Sequence, residues 1–149
     1  MNNYEELKIE NQICFPLYAC SKEVVRKYKP FLDEIDLTYT QYITMMILWD
    51  KKHVNVKELG KRLYLDSGTL TPLLKKLEAK GLISRKRSEI DERCLDIQIT
   101  QKGEELKEKA VEIPNALAAC INLDNEDAKM LYTLLYKVLD IVSPRPEEE

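Results

Sequence analysis

Residues 64–100 read YLDSGTLTPLLKKLEAKGLISRKRSEIDERCLDIQIT, and the change of rhythm within them decides the fold. Up to Lys80 the apolar residues recur at helical spacing. Leu70, Leu73/Leu74 and Leu77 form one stripe, which predicts a helix with one buried face. Asp66 or Ser67 supplies its N-cap oxygen and Gly81 its stop. Beyond Gly81 the period falls to two. Leu95, Ile97 and Ile99 share one face, Cys94, Asp96 and Gln98 take the other, and SEIDER (88–93) is the turn. That pattern predicts a two-stranded hairpin. Just upstream, Asn55 is placed to cap a short helix over 56–63, with Lys57, Glu58, Lys61 and Arg62 facing outward. A short helix, a tight turn, a second amphipathic helix and a hairpin make a helix-turn-helix with a wing.

Working outward, residues 40–49 are densely apolar and predict a buried helix. Leu17/Tyr18, Val24/Val25, Tyr28, Phe31/Leu32 and Ile35 mark a longer one over 15–35, which Pro30 should kink or end early. Residues 101–120 read as helix interrupted at Pro114, and Asp124 or Asn125 opens a last helix through Ile141. The expected fold is mainly α with a small β-hairpin wing. A winged helix-turn-helix over 37–100 is flanked by a helical dimerisation region, 1–36 and 101–142, with a frayed tail at 143–149. The terminal helices carry apolar stripes that a small central module cannot cover. Pairing with a second copy covers them, and a two-fold dimer is the commonest symmetry.

The chain has 149 residues, 44% apolar and 33% charged, enough for one domain with a core plus an oligomerisation arm. No apolar run approaches the ~20 residues that span a bilayer. The start, MNNYEELKIENQ, is acidic and polar, unlike a secretory leader. A cytoplasmic protein without a membrane partner is expected. The four cysteines, Cys14, Cys20, Cys94 and Cys120, show no C-x-x-C spacing, and His53 is the single histidine, so neither a metal nor a cofactor is expected. In that compartment the thiols start reduced. His53 offers no obvious base to a nucleophilic thiol, and an enzyme is not expected.

Net charge is −3, unevenly spread. Residues 50–93 carry 12 Lys or Arg against 7 Asp or Glu, while the rest of the chain is net acidic. A basic middle between acidic flanks fits a polyanion meeting the middle alone. The arrangement points to double-stranded DNA. Ser67, Thr69, Thr71 and Pro72 lie near the start of the second helix, where a major-groove helix meets base edges, and Lys75 and Lys76 are placed for phosphate or base contact. In the hairpin, Arg85, Lys86, Arg87 and Arg93 crowd one loop, and Asp91 suits holding that loop through its own hydrogen bonds. An arginine at such a tip can enter a narrow minor groove. Pro72 falls inside the helix, where a kink or a tight first turn is expected.

Cys14 has two readings. A lone cysteine among apolar neighbours is ordinarily packing. Pro16, however, is well tolerated in a first helical turn and sets the start of the long helix near Cys14 or Phe15. At that mouth the macrodipole favours a thiolate, which oxidises reversibly to a sulfenic acid. Cys20 reads as packing and Cys94 as the outer face of the wing strand.

The segment LGKRLYLDSGTLTPLLKKLEAKGLISRKRSEIDERCLDIQIT (59–100) resembles the winged-helix core of MarR-type regulators, with the wing's Asp-x-Arg at Asp91-Glu92-Arg93. ENQICFPLYACSKEVVRKYKP (10–30) and DLTYTQY (36–42) are similar to the organic-peroxide-sensing branch, the OhrR group. The resemblance implies a homodimeric repressor on palindromic DNA, released when an organic hydroperoxide oxidises Cys14. It further implies that Tyr28 and Tyr39 reach that thiol from the partner subunit, with Tyr18 on the cysteine's own helix. Some members carry a resolving cysteine in the later helices, about where Cys120 lies; inert burial is the alternative for Cys120, and a low-molecular-weight thiol is a further candidate partner. Pro16 departs from the apolar residue expected there. Other MarR-type proteins answer a small aromatic or anionic ligand, for which Tyr18, Tyr39, Tyr42 and Trp49 would line the pocket.

Overall fold

The computed structural model describes residues 4–144. After two single 3₁₀ turns, Glu5–Leu7 and Ile9–Asn11, the order is α1 (Cys14–Asp33), α2 (Tyr39–Lys51), β1 (His53–Asn55), α3 (Val56–Leu63), α4 (Ser67–Ala79), β2 (Ile83–Arg87), β3 (Leu95–Ile99), α5 (Gln101–Ala110), α6 (Ile113–Ile121) and α7 (Asn125–Val142). The frayed tail expected over 143–149 lies, from residue 145 on, outside the described residues.

Each boundary has a local cause. Helix α1 begins at Cys14 with Pro16 in its first turn, runs through Pro30 and ends at Asp33. That end is two residues short of the expected Ile35, and Asp36 turns the chain with φ 53°. Thr38 and Gln41 form a capping box at the start of α2. Asn55 caps α3 and Asp66 caps α4, their side-chain oxygens accepting from the backbone of Glu58 and Thr69. The expected break in the helix at Pro114 falls just before it: Val111 and Glu112 separate α5 from α6, and Pro114 sits in α6's first turn.

Helix α4 is continuous through Pro72. It closes with a Schellman motif, Leu82 N–H donating to Leu77 and Gly81 N–H to Glu78. Gly81 at φ 74° supplies the left-handed residue.

The sheet differs from the expected two-stranded hairpin. It has three antiparallel strands in the order β1-β3-β2, with Val54 opposite Ile97 and Arg85 also opposite Ile97. Three residues are too few to show a period, so β1 left no mark in the sequence. Lys52, at φ 64°, turns the chain into it. Along β3, Ile97 is fully buried while Leu95 is exposed, because Leu95 lies at the rim beside the loop.

The core joins α4's Leu70, Leu73, Leu74 and Leu77 to Met45, Leu48 and Trp49 of α2, Leu59 of α3, and Val54, Ile83 and Ile97 of the sheet. Leu32 from the end of α1, Ile35 from the turn after it and Ile113 from α6 belong to the same cluster. Trp49 donates through Nε1 to the carbonyl of Gly103 at 2.8 Å, tying α2 to α5 inside the core. By contrast, α7 has no buried residue. Among the described residues no helix is long and apolar enough to cross a membrane.

A Cβ on Gly103 would stand 2.3 Å from the Leu82 carbonyl oxygen and 2.7 Å from Ile99 Cγ1. Backbone on one side and core on the other leave no room for it. Gly103→Ala is expected to destabilise the fold by about 3 kcal/mol, read as a lower midpoint in urea with the slope unchanged.

Candidate nucleic-acid interface and thiol site

The leucine stripe of α4 faces inward, so the 3.6-residue turn carries Thr69, Thr71, Pro72, Lys75 and Lys76 outward. All five are exposed, as is Ser67 at the helix mouth. Capping fixes the Asp66 side chain, whose carboxylate accepts from Thr69 N–H at 2.8 Å and from the Thr69 hydroxyl at 3.3 Å. The backbone bond to Thr69 holds the Asp66 carboxyl below the usual carboxylate range.

The hairpin loop is closed by Ser88 N–H donating to the Cys94 carbonyl and Cys94 N–H to the Asp91 carbonyl. Asp91 Oδ1 accepts from Arg93 N–H at 3.0 Å, so Asp91 orders the loop in the way its residue type suggests. Lys86, Arg87 and Arg93 project into solvent, as does Ile90.

Arg85 departs from the expectation that it faces DNA. Its side chain is only 21% exposed. Its guanidinium donates to Glu78 Oε2 from Nε at 2.9 Å and from a terminal nitrogen at 2.7 Å, and its backbone N–H donates to Glu78 Oε1. The planar fork of an arginine suits this two-point grip. Arg85 fastens β2 to α4 instead of offering a free charge. The hydrogen bonds from Arg85 hold Glu78 below the ordinary range.

Two further cations, not singled out from the sequence as interface residues, stand beside this surface. Lys57 and Lys61 of α3 line, with Arg93, a cavity of about 640 Å³ between α3, the mouth of α4, the residues before β3, and Ser143 and Pro144. Their signal was the i, i+4 spacing of lysines on an outward helix face.

Cys14 is the first residue of α1 and is exposed, with Phe15, Leu17 and Tyr18 exposed beside it. Tyr28 and Tyr39 meet at 4.9 Å between ring centroids, and Tyr42 joins Tyr28 at 5.8 Å. Burial first, then the neighbouring Tyr39 and Tyr42, pushes the Tyr28 phenol up to about 12. Burial raises Tyr39 and Tyr42 as well. These phenols stay protonated and able to donate at neutral pH. The single chain does not bring them to Cys14: fourteen residues of continuous helix separate Cys14 from Tyr28, about 21 Å along the axis.

Cys120 in α6 is exposed, and so is Cys20, against the expectation of packing. Cys94 is half-buried, its thiol facing Asp91 Oδ2 at 3.6 Å. Desolvation and the Asp91 charge push it up, disfavouring a thiolate there. Of the aromatic set for a ligand pocket, Tyr39, Tyr42 and Trp49 join one ring cluster through Tyr28, and Tyr18 stands apart from it within the chain. Tyr42 and Trp49 are core residues, and Tyr18 lies ten residues before Tyr28, about 15 Å along α1.

Asp66 and Glu78 are both depressed carboxyls at the two ends of α4. Their contribution is therefore present above the ordinary carboxylate range and lost as pH falls through their lowered folded values. The thermal midpoint is expected to drop below about pH 4, and Glu78→Gln is expected to flatten part of that acid limb in a series of melts.

Residues 26–110 match the family model for the transcriptional regulators SarA/Rot. The organic hydroperoxide resistance transcriptional regulator of Bacillus subtilis is 49% identical over 139 residues, covering 93% of this chain and 95% of that protein. The HTH-type transcriptional regulator SarZ of Staphylococcus aureus (strain USA300) is 44% identical, covering 83% of this chain and 84% of its own. Among solved structures, reduced AbfR bound to DNA superposes with a TM-score of 0.77 at 31% identity, covering 93% of this chain and 97% of that one. A helix-turn-helix with an outward-facing hydroxyl and lysine face, a wing fastened to it, and these relatives together make the assignment: the chain belongs to the MarR-type transcriptional regulators of the SarA/Rot family and is of the OhrR-like kind.

Proposed function

We propose that this chain is a cytoplasmic homodimeric repressor that holds palindromic DNA while Cys14 is reduced and releases it when an organic hydroperoxide oxidises that thiol. The observation that carries the reading is the geometry of α1. Its first residue is an exposed cysteine among exposed apolar side chains, and the half-buried phenol of Tyr28, in ring contact with Tyr39 of α2, lies about 21 Å away toward the other end of the same helix. A second copy running antiparallel supplies the missing phenols to each thiol. The need for a second copy is supported by α7, which leaves Met130, Leu131, Leu134, Leu135, Val138 and Ile141 exposed along its length, an apolar face far larger than scattered surface residues. The flanking segments 1–36 and 101–142 serve as the dimerisation region and 37–100 as the DNA-binding module.

On the DNA side, Ser67, Thr69, Thr71 and Pro72 approach base edges. Lys75 and Lys76 meet phosphate, and Lys86, Arg87 and Arg93 serve the wing in a loop that Asp91 orders. Two copies of α4 about 34 Å apart match successive major grooves. Each lysine that meets a phosphate adds to the salt dependence. Lys75→Ala is expected to weaken binding on all sequences alike and to reduce the slope of log affinity against log salt by about one, measured by fluorescence anisotropy at several salt concentrations.

On the thiol side, the Cys14 thiolate attacks one peroxide oxygen. An S–O bond forms, the O–O bond breaks, and the departing alkoxide takes a proton to leave as the alcohol. The sulfur is oxidised by two electrons to a sulfenic acid. A second thiol then condenses with it, expelling water: Cys120 of the other copy, or a low-molecular-weight thiol. AbfR, a similar protein, has been solved reduced on DNA and with a disulfide formed. In gel shifts, cumene hydroperoxide is expected to lower the parent's DNA affinity at least tenfold while Cys14→Ser keeps its DNA; release of Cys14→Ser to the same degree refutes the thiol sensor. On a non-reducing gel after peroxide, a covalent dimer is expected that both Cys14→Ser and Cys120→Ser lose, and a monomer band alone removes Cys120 from the scheme.

A further inference from the structure

The thiol reading leaves open how a change at the phenol cluster reaches the recognition helix. A polar route between them runs through one lysine. Lys80 is the C-cap of α4, and the Schellman motif holds its backbone rigidly. Its side chain is 29% exposed and reaches 44 residues back along the sequence to the turn between α1 and α2. There the ammonium donates to the backbone carbonyl of Asp36, pairs with the Asp36 carboxylate at 3.1 Å and donates to Gln41 Oε1 at 3.4 Å. Three oxygens match the three N–H bonds of an ammonium.

One of these partners stands at the surface, the Asp36 side chain being 88% exposed, and the other lies inside the fold. Gln41 is 3% exposed, and its Oε1 also accepts the Thr38 backbone N–H at 3.1 Å, which closes the capping box of α2. Tyr39 follows Thr38 directly and packs against Tyr28 with the two rings tilted by 49°. Asp36 occupies the left-handed conformation that turns the chain out of α1. On the other side of the same residue, Lys102 of α5 donates to the Lys80 carbonyl at 2.7 Å, and Thr100 donates to the Gly81 carbonyl at 2.6 Å. The C-terminal end of the recognition helix is thus the point where both arms leading to the terminal helices are fastened.

We propose that Lys80 is a positioning residue that makes α4 follow the α1–α2 turn, so that displacement of Tyr28 and Tyr39 around an oxidised Cys14 moves the recognition helix. This rests on the thiol reading above. It adds a specific claim: without the ammonium, the reduced and oxidised proteins bind DNA with more similar affinity, because the two sites no longer share a rigid element. Apolar packing of Leu77 and Leu82 keeps the helix folded without it.

The test compares parent, Lys80→Met, Lys80→Arg and Cys14→Ser, each with and without cumene hydroperoxide. Anisotropy gives the ratio of reduced to oxidised affinity, mass spectrometry gives Cys14 oxidation, and thermal melts report folding. Lys80→Met is expected to oxidise at Cys14 like the parent, yet to show a ratio at least about five times smaller, and Lys80→Arg is expected to recover most of it. Hydrogen exchange at the Gly81 and Leu82 amides reads the same relay without DNA. There the parent is expected to change on oxidation and Lys80→Met to stay constant, which covers the case of a variant that no longer binds. A Lys80→Met protein with the parental ratio, or with the parental exchange response, overturns the relay while leaving the thiol sensor intact. A parent that keeps its DNA under peroxide overturns the thiol sensor and the relay with it.

Discussion

The burial of Leu70, Leu73, Leu74 and Leu77 is the constraint on which the rest depends. Each leucine removed from water stabilises the fold by about 1.5–3 kcal/mol, more than a partly solvated ion pair contributes. Those four side chains lock the roll of α4 about its axis. Once that roll is fixed, the hydroxyl residues and lysines of the opposite face have no choice of direction. The grip of Arg85 on Glu78 is partly solvated, so its energy is small beside the leucines. Its effect is positional: it sets where β2, and with it the wing, stands relative to the helix.

A second consequence concerns the ends of α4. The N-terminal end is open to solvent, with Asp66 satisfying the first turn through its own side chain. The C-terminal end is crowded. Gly81 closes it, Lys80 binds the α1–α2 turn, and Lys102 and Thr100 bind it from α5. A rigid rod presented at one end and anchored at the other converts a small rotation at the anchor into a larger displacement at the tip. The half-buried tyrosines near the anchor carry protonated phenols, which suits them to donate to an anion.

The unequal covering of the chain is the third feature. The helix-turn-helix and sheet close a core by themselves, with the end of α1 and Ile113 packed against it. The N-terminal half of α1 and all of α7 do not. Capping does not distinguish the two regions: Asp124 caps α7 with two backbone bonds as well as Asp66 caps α4. What α7 lacks is a surface to lie against, and a helix of this kind gets most of its stability from packing.

Much was readable along the chain because it depends on near neighbours. Asn55, Asp66, Gly81 and the leucine stripe fixed α3, α4 and their turn to within a residue, since capping and 3.6-residue periodicity act over four positions at most. Pro16 likewise marked the start of α1 at Cys14. The exposed lysines and hydroxyl residues of α4 followed from the stripe by rotation. Tertiary structure alone decided the rest. Strand β1 exists because β3 has a second edge to pair, not because HVN has a pattern. Arg85 looked like its free neighbours Lys86 and Arg87 until the helix brought Glu78 under it. Lys80 found its partners 44 residues away. Tyr39 joined Tyr28 only when the chain turned at Asp36 and laid α2 against α1. Local rules determine where elements start, stop and face; which charges pair across the fold, and which rings meet, depends on contacts that no window of the sequence contains.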